Sequence, residues 1–392
     1  MDPVRLLKFV SDFRIGGTER QFVMAATALD SRRFDVHVGC FRKFGQFLAG
    51  IERHGLPVSE YPINSLYNAR SVRERLNLSR YVVRHGIRVV HAYGFYSNLF
   101  AVPAAWWGGT PVVIASVRDS GDLWTSRQRL AQRAVSLLAD HVVVNAHAVG
   151  DVLAREGYDP AKITVIRNGI DTARFDAARD EGRIHRELGM APGAPLVTVV
   201  SRLSRSKEFD FKGVRHFLDA AARVSAGFDD ARFLVVGDGI SRVELEQQAE
   251  RLGLTRRVVF TGFRLDVPDV LAASTVAVLP SLTEGLSNSL LEAMAAGVPV
   301  VATRVGGNPE AVGDDEAGII VPPGDDALLA SAIGRLLRDR ALRERLGRAG
   351  RSRVGRLFSI RRMVGDTEDL YQRLLEHPAR AARALAIQRR AL

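Results

Sequence analysis

The sequence predicts an α/β protein built from two doubly wound, Rossmann-like domains in series, facing each other across a cleft. Three observations carry this. Short β-branched runs alternate with helical stretches, as in a parallel sheet made of βαβ units. The alternation occurs twice, six runs each time, separated by a polar stretch with breakers at Asn168-Gly169 and Pro192-Gly193. The chain has 392 residues, a length for two domains of ordinary size.

In the first series, strands are expected at Leu6–Phe9, Val36–Cys40, Val89–His91, Val112–Ser116, Val142–Val144 and Thr164–Ile166. Helices such as Glu19–Leu29 and Arg73–Arg84 fit between them. The second series is Leu196–Val200, Phe233–Val236, Val258–Thr261, Thr275–Leu279, Val300–Thr303 and Ile319–Val321. This places the domains at 1–175 and 190–358, with a linker around 171–195. The stretch Phe358–Leu375 is amphipathic, with Met363, Leu370, Tyr371, Leu374 and Leu375 apolar. A C-terminal helix at about 360–392 is therefore expected to pack back on the first domain, with the end from His377 fraying. Ligands of such sheets sit at the carboxyl ends of the strands.

Composition narrows the class. The single cysteine, Cys40, excludes an internal disulfide framework and fits a reducing compartment. The first ten residues read as a short strand with charges in it, not a secretory signal. The longest apolar stretch, Leu99–Val117, is broken by Pro103, Gly108-Gly109, Thr110 and Pro111, so it reads as helix, turn and strand, not a membrane span. A cytoplasmic protein is expected.

The net charge of +11 is uneven. Residues 1–175 carry 23 Lys+Arg against 15 Asp+Glu, 176–375 carry 28 of each, and the last seventeen carry four Arg against one Glu. One reading is peripheral contact with an anionic membrane or acceptor. The other is a solvated Arg-rich surface that reflects codon bias. Nucleic acid is not expected, because no basic helix or aromatic-interleaved patch stands out.

The most informative motif is Glu284-Gly-Leu-Ser-Asn-Ser-Leu-Leu-Glu292, between an apolar strand and the small-residue helix Ala293–Ala296. A strand–loop–helix joint presents free backbone N–H groups to an anion. Carboxylates beside it can grip neutral hydroxyls, and a sugar on a nucleoside diphosphate offers both groups. Plainer readings are an ordinary turn acid for Glu284 and a Ser289–Glu292 capping box for Glu292. Val199-Val-Ser-Arg-Leu203 ends a strand with Arg202, and Lys212-Gly213 precedes a helix. Ile15-Gly-Gly-Thr-Glu19 places Gly16 and Gly17 where backbone can approach a phosphate, and Glu19 suits a helix's first turn. Gly237-Asp-Gly239 lacks the third glycine of a dinucleotide fingerprint, which disfavours an oxidoreductase.

The block Pro280–Thr303 resembles the signature of the retaining, nucleotide-sugar-dependent glycosyltransferases of GT-B architecture, family 4 (glycosyl transferases group 1), and the resemblance extends over nearly the whole chain. It implies that Glu284 contacts the transferred sugar and Glu292 the ribose hydroxyls, while Gly285, Leu286, Ser287 and Asn288 touch sugar and phosphate. Arg202 and a lysine would neutralise the donor diphosphate. Lys212 is preferred, with Glu208–Phe211 as a local insertion, but family spacing also allows Lys207. Gly16 and Gly17 would approach the donor, and the Gly237 loop would line the base pocket. Relatives have a histidine near Val117-Arg-Asp119 that meets the sugar; here Arg118 stands at that point and could hold an anionic acceptor. His91 is a further candidate for the acceptor side, or else a satisfied core histidine. Asn168-Gly-Ile-Asp171 marks the family's hinge, and Glu310 reads as structural.

No Asp-any-Asp triplet, zinc-spaced Cys/His cluster, Gly-x-Ser-x-Gly elbow or Walker loop is present. The expectation is therefore a metal-independent hexosyltransferase with no cofactor. It would take a UDP- or GDP-sugar and a glycan or lipid-linked acceptor. A nucleotide-sugar epimerase acting without an acceptor is the alternative.

Overall fold

The computed structural model describes residues 2–377, apart from 123, 178–181, 204–209 and 314. It divides into two compact units, one of residues up to Gly169 together with those from Ile360, the other Ile170–Ser359.

The first unit holds a seven-stranded parallel sheet ordered β3-β2-β1-β4-β5-β6-β7. The strands are β1 Val4–Val10, β2 Phe34–Cys40, β3 Val58–Glu60, β4 Val89–Tyr93, β5 Val112–Val117, β6 His141–Val144 and β7 Ile163–Val165. Six of these are legible in the sequence. The edge strand β3 is not, because three residues give no period and it pairs only with Val38–Cys40 of β2. Helices follow as α1 Gly17–Ala28, α2 Leu48–Arg53, α3 Ala69–Arg84, α4 Phe95–Trp107 and α5 Ser126–Leu138.

Successive residues of β1 supply opposite faces of this sheet. Leu7 and Phe9 pack with Leu78, Val82, Phe100 and Ala104 under α3 and α4. Leu6 and Val10 pack with Phe22, Ile51, Met363 and Leu370 of α1, α2 and the C-terminal helix. Pro103 lies inside α4, where it cannot donate to the Leu99 carbonyl. That carbonyl instead accepts from Arg75 Nη2 of α3 at 3.2 Å, so the helix continues through the proline.

The C-terminal helix Ile360–Glu376 belongs to the first unit, where Glu368 accepts from the Asp30 N–H at 2.9 Å and from Arg33 Nη1 at 2.5 Å. The expected frayed end falls on residues 378–392, outside the described residues. No helix among the described residues is long and apolar enough to cross a membrane.

The second unit holds a six-stranded parallel sheet ordered β10-β9-β8-β11-β12-β13. Its strands are β8 Leu196–Val200, β9 Arg232–Val236, β10 Val258–Gly262, β11 Val276–Leu279, β12 Val300–Thr303 and β13 Ile319–Val321. All six coincide with the sequence expectation, because each is a near-continuous apolar run with both faces covered. The unit boundary lies six residues earlier than position 175. Gly169 exchanges two hydrogen bonds with the Gln21 side chain, 2.8 and 2.9 Å, within the first unit. The next residue, Ile170, donates to the Phe358 carbonyl at 2.7 Å within the second.

Candidate active site

In an open parallel sheet the ligand crevice opens where the strand order reverses. In the second unit that point lies between β8 and β11. The loops that leave the carboxyl ends of β8, β9, β11 and β12 carry Arg202, Gly237, Glu284 and Gly306 in turn. The chain thus gathers at one edge four motifs spread over a hundred residues.

Glu284 is nearly buried, its side chain 9% exposed, and faces Lys212, with Nζ 2.7 Å from Oε1. Ser281 Oγ donates to the same oxygen at 2.9 Å. Oε2 has no hydrogen-bond partner among the described residues. One carboxylate oxygen is therefore clamped and the other is available to a hydroxyl. Lys212 comes from the turn before helix Val214–Ser225, and the Leu282 N–H bonds the Phe211 carbonyl at 2.9 Å, which fixes the lysine loop against the glutamate loop. Lys207 lies outside the described residues, as does Glu208 of the expected insertion.

The glutamate loop is also held from β12. Thr303 Oγ1 donates to the Ser281 carbonyl at 2.5 Å, and the Gly307 N–H to the Gly285 carbonyl at 2.6 Å. Gly306 has φ +48°. A Cβ there would stand 2.0 Å from the Glu284 carbonyl oxygen, so only glycine allows this approach.

Helix Asn288–Ala295 starts earlier than the sequence suggests, and its N-cap is Ser287, whose side chain accepts from Leu290 N at 3.4 Å. The expected Ser289–Glu292 capping box is therefore corrected: with Ser287 as cap, the third helical position is Leu290, and Glu292 stands two residues further on. Glu292 is 7% exposed, and Gly285, Leu286 and Ser287 are buried beside it, while Asn288 is half-buried.

Arg202 is exposed just past the end of β8. Its neighbours Ser201 and Leu203 donate to the carbonyls of Val236 and Asp238, at 2.9 and 3.0 Å. Gly237, at φ +134°, would place a Cβ 1.8 Å from the Ser201 carbonyl oxygen. The Gly237-Asp-Gly239 motif thus shapes the arginine loop, a role the sequence does not reveal.

In the first sheet the strand order reverses between β1 and β4. Gly16 and Gly17 follow β1, with Gly16 as N-cap of α1 in extended conformation (φ −160°) and Glu19 in the first turn. Arg118 follows β5, is half-buried, and donates from Nη2 to Asn168 Oδ1. Its guanidinium also lies 5.8 Å from the Tyr93 ring centre. Ion-pair distance to a carboxylate is not reached among the described residues.

Of the two readings of His91, the surroundings are those of the satisfied core histidine. The ring is 1% exposed, with Nδ1 2.7 Å from Tyr371 Oη and Nε2 2.7 Å from Ser116 Oγ. Both nitrogens are committed inside the unit, and burial, reinforced by Lys8 and Arg118, holds its pKa well below the ordinary histidine value. Sequence reasoning missed the partner of this network, Lys8, a fully buried lysine in β1. Its Nζ donates to Tyr93 Oη at 2.8 Å and to Tyr371 Oη at 3.3 Å. Burial first, and Arg118 second, lowers its pKa to about 7. A lysine on the alternation of an apolar strand was the available signal.

Comparison with known proteins agrees with this geometry. Residues 15–174 match the family described as Glycosyltransferase Family 4, and residues 194–339 match Glycosyl transferases group 1. An alpha-maltose-1-phosphate synthase of Mycobacterium tuberculosis is 31% identical over 313 residues, covering 73% of this chain and 79% of that protein. A UDP-Gal:alpha-D-GlcNAc-diphosphoundecaprenol alpha-1,3-galactosyltransferase of Escherichia coli is 26% identical over 313 residues, covering 77% and 79%. The chain spans between 58% and 79% of the length of such curated relatives. Among solved structures, Anabaena HepE in complex with UDP-glucose superposes with a TM-score of 0.84 at 23% identity, over 94% of this chain and 100% of that one. The fold is that of the GT-B glycosyltransferases, two Rossmann-like units in series. The chain belongs to glycosyltransferase family 4, glycosyl transferases group 1.

Proposed function

We propose that this protein transfers a hexose, with retention of anomeric configuration, from a UDP- or GDP-sugar to a hydroxyl of a glycan or lipid-linked acceptor. The observation that carries the reading is the Lys212–Glu284 pair at the reversal point of the second sheet, with one glutamate oxygen clamped and the other open. Lys212 and Arg202 would balance the negative charge that develops on the departing diphosphate, without a metal ion. Glu284 Oε2 would hold a sugar hydroxyl, Glu292 the ribose, and the backbone of Gly285–Asn288 the phosphate and sugar. The diphosphate oxygen leaving one face would take the proton of the acceptor hydroxyl that arrives on the same face. That route needs no side-chain base, which fits the burial of His91.

UDP is favoured over GDP because the Escherichia coli relative is named for UDP-Gal and the Anabaena structure holds UDP-glucose. A thermal-shift panel of UDP, GDP, ADP and their sugars, with and without EDTA, tests the reading. Stabilisation by one nucleotide that persists in EDTA supports it. Stabilisation only with added divalent metal removes the metal-independent step. Conversion of the sugar without any acceptor would point to an epimerase.

A further inference from the structure

The excess positive charge of the first unit is concentrated in one layer. Helix α3 carries Arg70, Arg73, Arg75, Arg80 and Arg84, and α5 carries Arg127, Arg129 and Arg133. The one carboxylate on α3, α4 and α5 is Glu74, itself 8% exposed. Eight arginines less one glutamate leaves +7, against +8 for residues 1–175. Of the eight, Arg75 turns inward to the Leu66 and Leu99 carbonyls and Arg129 lies 3.7 Å from Glu156, so the other six face outward. The opposite layer, α1, α2 and the C-terminal helix, has five arginines and six carboxylates, or −1. A surface set by codon bias would load both layers alike. The basic helices escape a sequence reading because their arginines are interleaved with the apolar residues that face the core.

The same layer exposes large apolar side chains. Val83 is 66% exposed on α3, Trp107 61% and Trp106 46% on α4, and Leu130 and Leu137 68% each on α5. The three helices are neighbours. Gly108, at the end of α4, would place a Cβ 3.1 Å from the Ser79 carbonyl of α3, and Asn98 of α4 donates to Gln132 of α5 at 3.4 Å. Each leads into a strand of the parallel sheet, so their last turns share one end. Val83 and Arg84, the two tryptophans and Leu137 stand in those last turns.

We propose that the outer face of α3–α5 docks on an anionic phospholipid bilayer. Guanidinium groups would meet the headgroups while indoles and aliphatic chains enter the interfacial region, a combination that a nucleic acid or soluble polyanion does not call for. The proposal rests on the lipid-linked acceptor reading above for its choice of a bilayer as partner. The apolar residues of the last turns stand at the amino ends of the strands, so the surface carries the protein on the bilayer and is not itself the crevice at the carboxyl ends. It places the protein on the bilayer through helices of the first unit, whereas the sugar-nucleotide loops belong to the second.

Co-sedimentation of the full chain with phosphatidylcholine vesicles, with and without phosphatidylglycerol, tests it. The wild type should bind the anionic vesicles and release them as salt rises. Trp106→Ser/Trp107→Ser should lower the partition about tenfold. Arg80→Gln/Arg84→Gln/Arg133→Gln should lower it about a hundredfold. Both variants should keep the wild-type melting temperature and the same nucleotide-induced thermal shift, so donor binding and docking fail independently. Wild type that stays in the supernatant at low salt overturns the proposal. So does binding that ignores the tryptophan variant, which would mark a general polyanion surface. A dimer that this variant dissociates would mark a self-association face and overturn it too.

Discussion

Lys212 Nζ and Ser281 Oγ converge on a single oxygen of Glu284, at 2.7 and 2.9 Å. The pair joins the loop before helix Val214–Ser225 to the loop after β11, seventy-two residues apart in sequence. The ammonium and the nearly buried carboxylate are held in ion-pair contact, and the lysine is itself poised beside the expected diphosphate.

Replacing either partner should therefore separate binding from chemistry. Glu284→Gln keeps the shape and the contact to Lys212, so nucleotide affinity should stay within a fewfold while kcat falls about a hundredfold or more. Lys212→Met should weaken nucleotide binding and also cost about 1–3 kcal/mol of stability, because Glu284 loses its cation. Steady-state kinetics, nucleotide titration and thermal melts of the two variants and their double mutant check this. A double mutant whose losses add without coupling would show that the pair does not act together.

Gly306→Ala tests the clamp from β12. The new methyl would meet the Glu284 carbonyl at 2.0 Å in a left-handed backbone, so the glutamate loop must move. Transfer should fall with kcat, by about tenfold or more, while the second unit remains folded by circular dichroism. Wild-type kcat would mean that this approach does not set the glutamate's position.

Lys8 makes the stability of the first unit pH-dependent. Its pKa is about 7 in the fold against 10.5 for an unperturbed lysine, so between these values the unfolded chain binds the extra proton. Raising the pH through that window should stabilise the unit, by about 3–5 kcal/mol in all. Buried Tyr93 and Tyr371, whose pKa values are raised, reverse the trend once the unfolded tyrosines ionise above their ordinary value of 10.0. Buried neutral His91 adds a separate loss as the pH falls below 6.5. Urea titrations across pH should show the alkaline rise in wild type and its absence in Lys8→Met; the same rise in both would exclude Lys8 as its source.

His91→Asn should lower the melting temperature, because Tyr371 and Ser116 each lose a buried partner at 2.7 Å. KM for both substrates should change little. A selective rise in acceptor KM at unchanged stability would favour the acceptor-side reading of His91 instead.

The strands of both sheets were legible because each buried one is a dense β-branched run between turn signals; β3 was too short to show a period. Glu284 and Lys212, singled out in the sequence by residue type, meet in the fold, and Arg202 stands exposed past β8. The mutual geometry is not legible in the sequence, since the Lys212–Glu284 contact and the Gly306 approach join loops far apart in the chain. Ser289 and Glu292 have the spacing of a capping box, yet Ser287 takes the cap, because spacing alone does not fix where a helix begins. His91 looked like a cleft residue because it sits near a strand end; its burial depends on Tyr371, 280 positions away.

The central claim is that the second-unit loops bind a sugar nucleotide through Lys212 and use Glu284 for transfer. The most direct measurement is calorimetric titration of UDP-glucose and GDP-mannose, in EDTA, into the wild type, Lys212→Met and Glu284→Gln. Saturable binding of one donor, weakened about tenfold or more in Lys212→Met and nearly unchanged in Glu284→Gln, is the predicted result. Equal donor affinity in the wild type and Lys212→Met would contradict it.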